Sequence, residues 1–369
     1  QDDARRLGET GRLTGAPGQD DALADDVAET GGIQPVAHEF ERLFSPGTDD
    51  LRQQRALDDD RMGVAALAER RDGDRLAAVV EKFGHGRTVH DLDALGIGRA
   101  DRQAAGEIHS DWRQQIIETA HLMADAARRA ILPLFRTGIL AENKRPAGFD
   151  PVTEADRAAE TAMRRVLAER RPDDSVLGEE FGSRHGSSGL TWILDPIDGT
   201  RAFLCGAPSW GVLIGLRDAG GIRYGLIDQP YLGERFEGGF GIARLTHRGS
   251  TSPLRARTRV ALNHALLMTT FPEIGTGAEA AAFRRVSQQA RLTRYGLDCY
   301  AYALLAMGQI DLVIEAGLQA YDIAGPLAVV QAAGGIVTDW QGGSAAGGGQ
   351  VVAAGSPELH REALDLLNR

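Results

Sequence analysis

The sequence predicts a layered α/β (α+β) fold, in which helices pack on mixed β-sheets. Three observations favour it. Beyond residue 106, some segments repeat apolar residues every three to four positions, as amphipathic helices do, and others form the short apolar runs of strands. Of the 369 residues, 43% are hydrophobic, which suffices for the core of one large or two medium domains. We find no internal repeat.

The helices are indicated by apolar periodicity and by residues typical of helix ends. The first has an apolar side from about Glu107 to Ile131 and ends near Pro133. The second begins at Thr153, a residue type that caps helices, and runs toward Arg170. Further helices are predicted over 278–290, 299–307, 323–333 and 357–367.

Strands are predicted between these helices. Three of them are over 191–194, 212–216 and 222–227, and two weaker ones follow at 235–236 and 259–262. The later strands are over 312–315, 336–339 and 351–353. Helices that alternate with mixed strands in this way are typical of layered α/β proteins.

The first 106 residues differ in composition and are expected to form an acidic, low-complexity extension. Residues 1–100 contain 21 Asp and Glu against 13 Lys and Arg, so −8 of the net charge of −11 lies there. Their apolar residues are scattered, although a short helix over 61–83 is compatible with the pattern. Such segments rarely bury enough apolar surface to offset the entropy of ordering. We therefore predict that residues 1–106 are disordered or non-native and that the folded domain spans 107–369.

Composition also excludes several classes of protein. No stretch approaches eighteen uninterrupted apolar residues, so we expect no membrane-spanning helix, and the residues after Gln1 lead us to expect no secretory leader. Two cysteines, Cys205 and Cys299, are too few for a disulfide framework and indicate a reducing compartment. The negative net charge argues against a broad basic surface for nucleic acid. We expect a cytoplasmic protein with neither a membrane nor a nucleic-acid partner.

Acidic residues occur in three separated segments where strands or helices are predicted to begin or end. These segments are 178–182, 195–200 and 321–324. In the middle one, an apolar strand ends at Asp195, and Pro196 cannot donate a ladder hydrogen bond. Asp198 lies three residues further on, so a turn can bring both carboxylates to one point.

The residues that follow suit a phosphate group and metal ions. If a helix begins there, the backbone amides of Gly199 and Thr200 form an anion site. Carboxylates beside a phosphate repel it unless cations lie between them, and hard oxygen ligands favour Mg²⁺. Two ions about 3.5–4 Å apart would explain the number of acids, because such a pair holds the attacking and leaving oxygens of an in-line displacement.

Each piece also has a plain structural explanation. The 195–200 segment could be a surface turn, and Glu179 with its neighbour could be a solvated loop. Asp322 could be the N-cap of its helix, and Thr153 with Asp156 could form a capping box. The occurrence of all of them in one chain argues against these separate explanations.

In this order and spacing, the segments 178–180, 195–200 and 321–324, followed by 333–335, resemble the inositol monophosphatase superfamily. The resemblance extends from about Asp111 to the C-terminus. Four stretches are most similar to the histidinol-phosphatase branch: 151–160, 198–203, 298–305 and 337–340. The resemblance implies a layered α-β-α-β-α sandwich over 107–369, a homodimer, and a small phosphorylated metabolite as the partner.

The resemblance also implies a ligand set for two Mg²⁺ ions. Glu179, Asp195 and the carbonyl of Ile197 would hold the first ion. Asp195 would bridge to the second, which Asp198 and Asp322 would complete. A third, weaker ion beside Glu179 and Glu180 is compatible with the pattern.

The catalytic roles follow from the same resemblance. Asp156 would pair with the hydroxyl of Thr200, which orients the water on the first metal that Glu179 helps to hold. The amides of Gly199 and Thr200 would bind the phosphate. Hydrolysis would then proceed by in-line attack of the metal-activated water, with no covalent intermediate.

The substrate-binding residues are expected at three positions. Glu315 matches the superfamily position that contacts the alcohol portion of the substrate, and Asp298 is a second candidate. Arg201 could touch the phosphate or position Asp298; the plain alternative is that Glu315 and Arg201 pair with each other or with neighbours. We expect Tyr300 and Tyr302 to be core and helix-face residues rather than a platform for an imidazole ring.

Two acids near the leaving group suit L-histidinol phosphate, which carries an ammonium and an imidazole. The resemblance to the histidinol-phosphatase branch, with which these acids agree, implies a histidinol-phosphatase of histidine biosynthesis. The same superfamily leaves an inositol-1-phosphate or nucleotide 3′-phosphate phosphatase as alternatives. A catalytically silent metal-binding scaffold is the alternative of another class.

Overall fold

A computed structural model describes residues 99–144 and 151–369 of the chain. The extension expected over 1–106 lies outside the described residues, apart from residues 99–106, which are helical. The short helix compatible with 61–83 lies outside them as well. All the candidate site residues lie inside them.

The described residues form seven α-helices. They are α1 Arg99–Ile131, α2 Glu154–Arg170, α3 Thr200–Leu204, α4 Gly277–Ser287, α5 Tyr300–Ala306, α6 Ala320–Ala332 and α7 Pro357–Leu367. Helix α1 begins upstream of the expected start near Glu107, because its first residues are mostly good helix formers that carry no apolar stripe. In the part of the chain that the structure covers, no helix is both long enough and apolar enough to span a bilayer.

The same residues contribute fifteen strands to three sheets. The strands are β1 Glu142–Asn143, β2 Pro151–Val152, β3 Ser175–Gly178, β4 Gly182–Arg184, β5 Thr191–Asp198, β6 Gly211–Asp218, β7 Gly221–Gln229, β8 Glu234–Gly239, β9 Ile242–His247, β10 Ser250–Pro253, β11 Leu266–Thr269, β12 Leu292–Tyr295, β13 Leu312–Leu318, β14 Ile336–Thr338 and β15 Gly349–Ala354. β1 and β2 form a short hairpin-like pair. The larger sheets have the orders β10-β9-β8-β7-β6-β5-β3-β4 and β12-β11-β13-β15-β14.

One strand prediction is wrong. The segment 259–262 is not extended, because Arg259 has a φ of 62° and Leu262 begins a 3-10 turn. The strand in this region is β11, which begins at Leu266. The strands that periodicity missed include β10, whose four residues are all exposed and therefore have no apolar face to detect.

The helices and sheets alternate in five layers, which confirms the expected sandwich. Helices α1 and α2 cover one face of the eight-stranded sheet, and α5 and α6 lie between the two sheets. Helices α4 and α7 cover the outer face of the five-stranded sheet. Three apolar clusters fill the spaces between these layers.

Glycines on the eight-stranded sheet let α6 approach it closely. A Cβ atom on Gly215 would lie 2.6 Å from the Cβ of Ala324, and one on Gly225 would lie 2.4 Å from the carbonyl oxygen of Gly325. A larger residue at either position would push α6 away. This contact sets the position of the helix N-terminus, which carries Asp322.

Candidate active site

A bulge at the end of β5 brings two carboxylates together. The pairing of β5 with β6 changes register between Asp195 and Asp198, and Pro196, which has no N–H to donate, lies within the change. Residues three apart in a regular strand point to opposite faces, whereas the extra residue of a bulge can turn both to one side. The segment is therefore part of a strand end and not a free surface turn.

Asp195, Asp198 and Asp322 form an acidic cluster. One carboxylate oxygen from each lies within 4.8 Å of the others. Backbone N–H groups hold all three side chains: Ile197 N is 3.1 Å from Asp195 Oδ1, Cys299 N is 2.6 Å from Asp198 Oδ2, and Gln319 N is 2.7 Å from Asp322 Oδ2. The N-cap of α6 is therefore Gln319 and not Asp322, which is the third helical residue of the capping box and belongs to the acidic cluster as well.

Burial and mutual repulsion make this cluster a strong site for positive charge. Burial raises the pKa of Asp195 well above its ordinary value, and the charges of Glu179, Asp198 and Asp322 raise it further. The pKa of Asp198 is raised well above normal for the same two reasons. A divalent cation would remove this penalty, and carboxylate oxygens are the ligands that hard cations prefer.

Glu179 lies at the edge of this cluster and has a cationic neighbour. Lys144 Nζ is 2.9 Å from Glu179 Oε1 and 2.5 Å from Glu180 Oε1. Burial raises the pKa of Glu179 to about 7, although Lys144 opposes the rise. Burial alone would lower the pKa of Lys144, but the two carboxylates outweigh it and hold that pKa above its ordinary value. Sequence reasoning missed Lys144, which is one of only two lysines in the chain.

A buried ion pair on α2 holds the turn that carries Glu179. The Glu160 side chain is fully buried and accepts hydrogen bonds from the backbone N–H of Glu180 (2.7 Å) and Phe181 (3.2 Å). Arg164 Nε donates to the same carboxylate at 2.7 Å. Gly178 leaves the space for this contact, since a Cβ there would lie 2.1 Å from Glu160 Oε1.

Asp156 links the start of α2 to the start of α3. Its Oδ2 accepts from the backbone N–H (2.8 Å) and the hydroxyl (2.6 Å) of Thr153, which is the capping box that the sequence allowed. Its Oδ1 lies 3.2 Å from Thr200 Oγ1, which is also 3.1 Å from the carbonyl oxygen of Ile197. Burial raises the pKa of Asp156.

Asp298 and Gly199 meet at the entrance to α3. Gly199 has a φ of 82°, and a Cβ on it would lie 2.8 Å from Cγ of Asp298. Glycine is therefore favoured here for two reasons: it adopts the positive φ without strain, and it leaves room for the Asp298 side chain. Asp298 itself has a φ of 48° and accepts a 3.2 Å hydrogen bond from Ser209 Oγ. Burial raises its pKa to about 6, although Ser209 and Arg201 lower it.

Glu315 is buried in the middle of β13 and is fixed by two threonines. Thr269 Oγ1 is 3.1 Å from Oε2, and the N–H and hydroxyl of Thr270 are 2.7 and 2.8 Å from Oε1. Burial raises the pKa of Glu315 to about 7 despite these donors. Arg201 lies at the rim of the site, where its guanidinium carbon is 4.9 Å from the ring centroid of Phe271.

A cleft of about 460 Å³ brings these groups together. Among the described residues that line it are all the predicted metal and substrate residues: Glu179, Asp195, Ile197, Asp198, Gly199, Thr200, Arg201, Asp298, Glu315 and Asp322. Asp156 is not among these lining residues, but it accepts a hydrogen bond from the hydroxyl of Thr200, which does line the cleft. Sequence reasoning did not place four other lining residues there: Lys144, Thr270, Phe271 and Tyr302, of which Tyr302 was expected to be a core or helix-face residue.

Comparisons with known proteins agree with this geometry. The chain is 37% identical over 276 residues to the bifunctional phosphatase IMPL2 of Arabidopsis thaliana, covering 72% of this chain and 78% of that protein. It is 34% identical to the histidinol-phosphatase of Streptomyces coelicolor, over 69% of this chain and 97% of that protein. A solved inositol monophosphatase from Zymomonas mobilis is 39% identical and matches 69% of this chain and 98% of its own with a TM-score of 0.62.

The family assignment rests on the wider match. The sequence model of the inositol monophosphatase family matches residues 112–369, which are the same helices, sheets and cleft described above. The resemblance inferred from the acidic segments is therefore confirmed. The chain belongs to the inositol monophosphatase family, a family of phosphoric monoester hydrolases.

Proposed function

We propose that the chain is a Mg²⁺-dependent phosphatase that hydrolyses L-histidinol phosphate to L-histidinol and phosphate in histidine biosynthesis. One observation carries the proposal: the acidic cluster shares its cleft with two further carboxyl groups, the buried one of Glu315 and the partly buried one of Asp298. The cluster suits metal ions and a phosphate, and the other two acids suit a cationic alcohol portion. The similarity to a named histidinol-phosphatase supports the same substrate.

The donor set fits Mg²⁺. Asp195, Asp198 and Asp322 offer hard oxygen atoms within 4.8 Å of one another, and Glu179 and the carbonyl of Ile197 border the same cleft. Mg²⁺ held there would supply the charge neutralisation and the activation of water that hydrolysis of a phosphate monoester requires. The two-ion arrangement, with Asp195 as the bridge, is part of this proposal.

Asp156 and Thr200 would position the attacking water. The two hydrogen bonds from Thr153 fix the Asp156 carboxylate and leave its Oδ1 facing the Thr200 hydroxyl. Thr200 can therefore donate its proton to Asp156 and accept one from the water. The backbone amides of Gly199 and Thr200, at the mouth of the same cleft, would bind the phosphate oxygens.

A cysteine nucleophile is not part of the mechanism. Cys299 lines the cleft, but burial and the nearby Asp198 carboxylate raise its pKa well above the ordinary value. A thiol that stays protonated is a weak nucleophile. Cys205 is exposed and is not one of the residues that line the cleft.

The leaving-group end of the cleft would bind a cation. A cationic substrate would favour ionised Glu315 and Asp298, whose pKa values burial raises to about 7 and about 6. Arg201, stacked on Phe271, would position Asp298, whose pKa it lowers. The homodimer and the cytoplasmic location that the resemblance implies stay predictions.

Parallel turnover assays test the proposal. We expect the highest kcat/KM with L-histidinol phosphate among histidinol phosphate, inositol 1-phosphate and a nucleotide 3′-phosphate, and loss of activity on chelation of Mg²⁺. Preference for inositol 1-phosphate would favour the second candidate, which the 39% identity to the Zymomonas mobilis enzyme supports. If the Mg²⁺-loaded protein hydrolyses none of these three esters, the alternative hypothesis of a catalytically silent metal-binding scaffold is favoured over a phosphatase.

A further inference from the structure

Tyr302 is a buried residue of the cleft, and the mechanism proposed above gives its hydroxyl group no role. The residue lies on α5, is 3% exposed and lines the cleft. Its hydroxyl oxygen has no hydrogen-bond partner among the described residues. Buried tyrosine hydroxyls normally find a partner, because an unmade hydrogen bond away from water reduces stability.

Tyr302 lines the same cleft as the acidic cluster and Glu315. The carboxylates that act most strongly on the Tyr302 phenol are those of Glu315, which is expected to contact the substrate, and of Asp198 and Asp322 in the acidic cluster. Burial and these charges raise the pKa of the phenol well above its ordinary value, so the hydroxyl keeps its proton. A substrate whose phosphate lies at the cluster and whose alcohol portion reaches Glu315 would occupy the cleft that Tyr302 lines.

The nearby carboxylates already have other donors. Glu315 accepts from Thr269 and Thr270, and Asp198 accepts from the backbone N–H of Cys299. Tyr302 is therefore not needed to hold any of them in place. Tyr300, two residues earlier on the same helix, differs in this respect, since its hydroxyl donates to Glu234 at 2.6 Å.

We propose that the Tyr302 hydroxyl binds the alcohol portion of the substrate through a hydrogen bond to a nitrogen or oxygen close to the ester oxygen. This inference rests on the proposed phosphatase function and adds a specificity-determining residue to it. The ligand class is a phosphomonoester of a polar alcohol. Aryl esters without a polar group near the ester oxygen would gain nothing from Tyr302.

Tyr302→Phe tests the inference, because it removes one oxygen and keeps the packing. The measured quantity is the ratio of kcat/KM for the preferred natural phosphomonoester to kcat/KM for 4-nitrophenyl phosphate. We expect this ratio to fall about 10- to 100-fold, as expected for loss of a substrate hydrogen bond at a buried site. We also expect the melting temperature to stay equal or rise, because an unpaired buried hydroxyl is removed.

Tyr300→Phe is the matched control. It should lower the melting temperature, through loss of the bond to Glu234, and leave the ratio unchanged. An unchanged ratio in Tyr302→Phe, or equal losses with both esters together with a lower melting temperature, would overturn the inference. Preference of the native enzyme for inositol 1-phosphate would overturn only the proposed substrate, since the ratio can then be measured with that ester.

Discussion

Thr200 Oγ1 lies 3.2 Å from Oδ1 of Asp156, so a residue from the start of α3 meets one from the start of α2 at the back of the cleft. The other oxygen of Asp156 caps α2 through Thr153. One carboxylate therefore performs a structural and a chemical task. The two tasks can be separated by mutation.

Thr200→Val should remove the hydrogen bond to Asp156 that is proposed to position the water, and should leave the cap of α2 intact. We expect kcat to fall about 100-fold or more, the usual range for loss of a group that assists proton transfer, with little change in melting temperature. Asp156→Asn should lower kcat similarly and also cost about 1 kcal/mol of stability, because the cap is weakened. Glu154→Gln, exposed on the same helical turn, is the control and should change neither. A native kcat in Thr200→Val would contradict the role of the pair.

Loss of the Glu160 carboxylate should weaken metal binding without touching a metal ligand. In Glu160→Gln, one of the two backbone N–H donors, on Glu180 and Phe181, would face an amide NH₂ group, so the turn with Glu179 would shift. We expect the Mg²⁺ concentration for half-maximal activity to rise about 10- to 100-fold, as for other residues that hold a ligand in place. Glu169→Gln, exposed on the same helix, is the control. Equal Mg²⁺ dependence in both variants would show that this contact does not position Glu179.

Substrate preference should depend on pH through Glu315. Its pKa is raised to about 7 by burial, so the side chain is neutral below that pH and charged above it. The ratio of kcat/KM for histidinol phosphate to that for inositol 1-phosphate should therefore rise as the pH increases through about 7. The ratio cancels titrations of the metal site and the phosphate, which both esters share, and the Glu315→Gln profile supplies the baseline for the substrate imidazole, whose ordinary pKa is about 6.5. Glu315→Gln should lose this rise; an identical profile in the variant would exclude Glu315 as the cause.

A chain that lacks residues 1–98 should remain active. Every residue assigned to the cleft lies between Lys144 and Asp322, and the family match begins at residue 112. We expect kcat/KM within about threefold of the full chain, with α1 retained to cover the eight-stranded sheet. An insoluble or inactive product would show that the acidic segment takes part in folding or catalysis.

The acidic residues of the site could be predicted because they occur in local motifs. The segment Asp195–Asp198 combines a strand end, a proline and two acids within four residues, and Asp322 opens a helix. Helix positions were predictable for the same reason, since periodicity is a local property. The strand predicted over 259–262 failed because composition does not reveal the positive φ of Arg259.

The supporting residues could not be predicted because their partners are distant in the chain. Glu160 contacts a turn twenty residues away, and Lys144 meets Glu179 thirty-five residues away. Tyr302 was expected in the core, and it is buried there, but its unpaired hydroxyl is visible only once the cleft is assembled. Burial and long-range contact, and not motif, determine these roles.

The acidic cluster can be tested most directly with a metal that scatters anomalously. We predict that crystals grown with Mn²⁺ in place of Mg²⁺ show anomalous difference peaks in contact with carboxylate oxygens of Asp195, Asp198 and Asp322, and that Asp195→Asn loses the peaks together with turnover. Crystals with no peak at these three side chains, or with the metal bound elsewhere on the chain, would contradict the account.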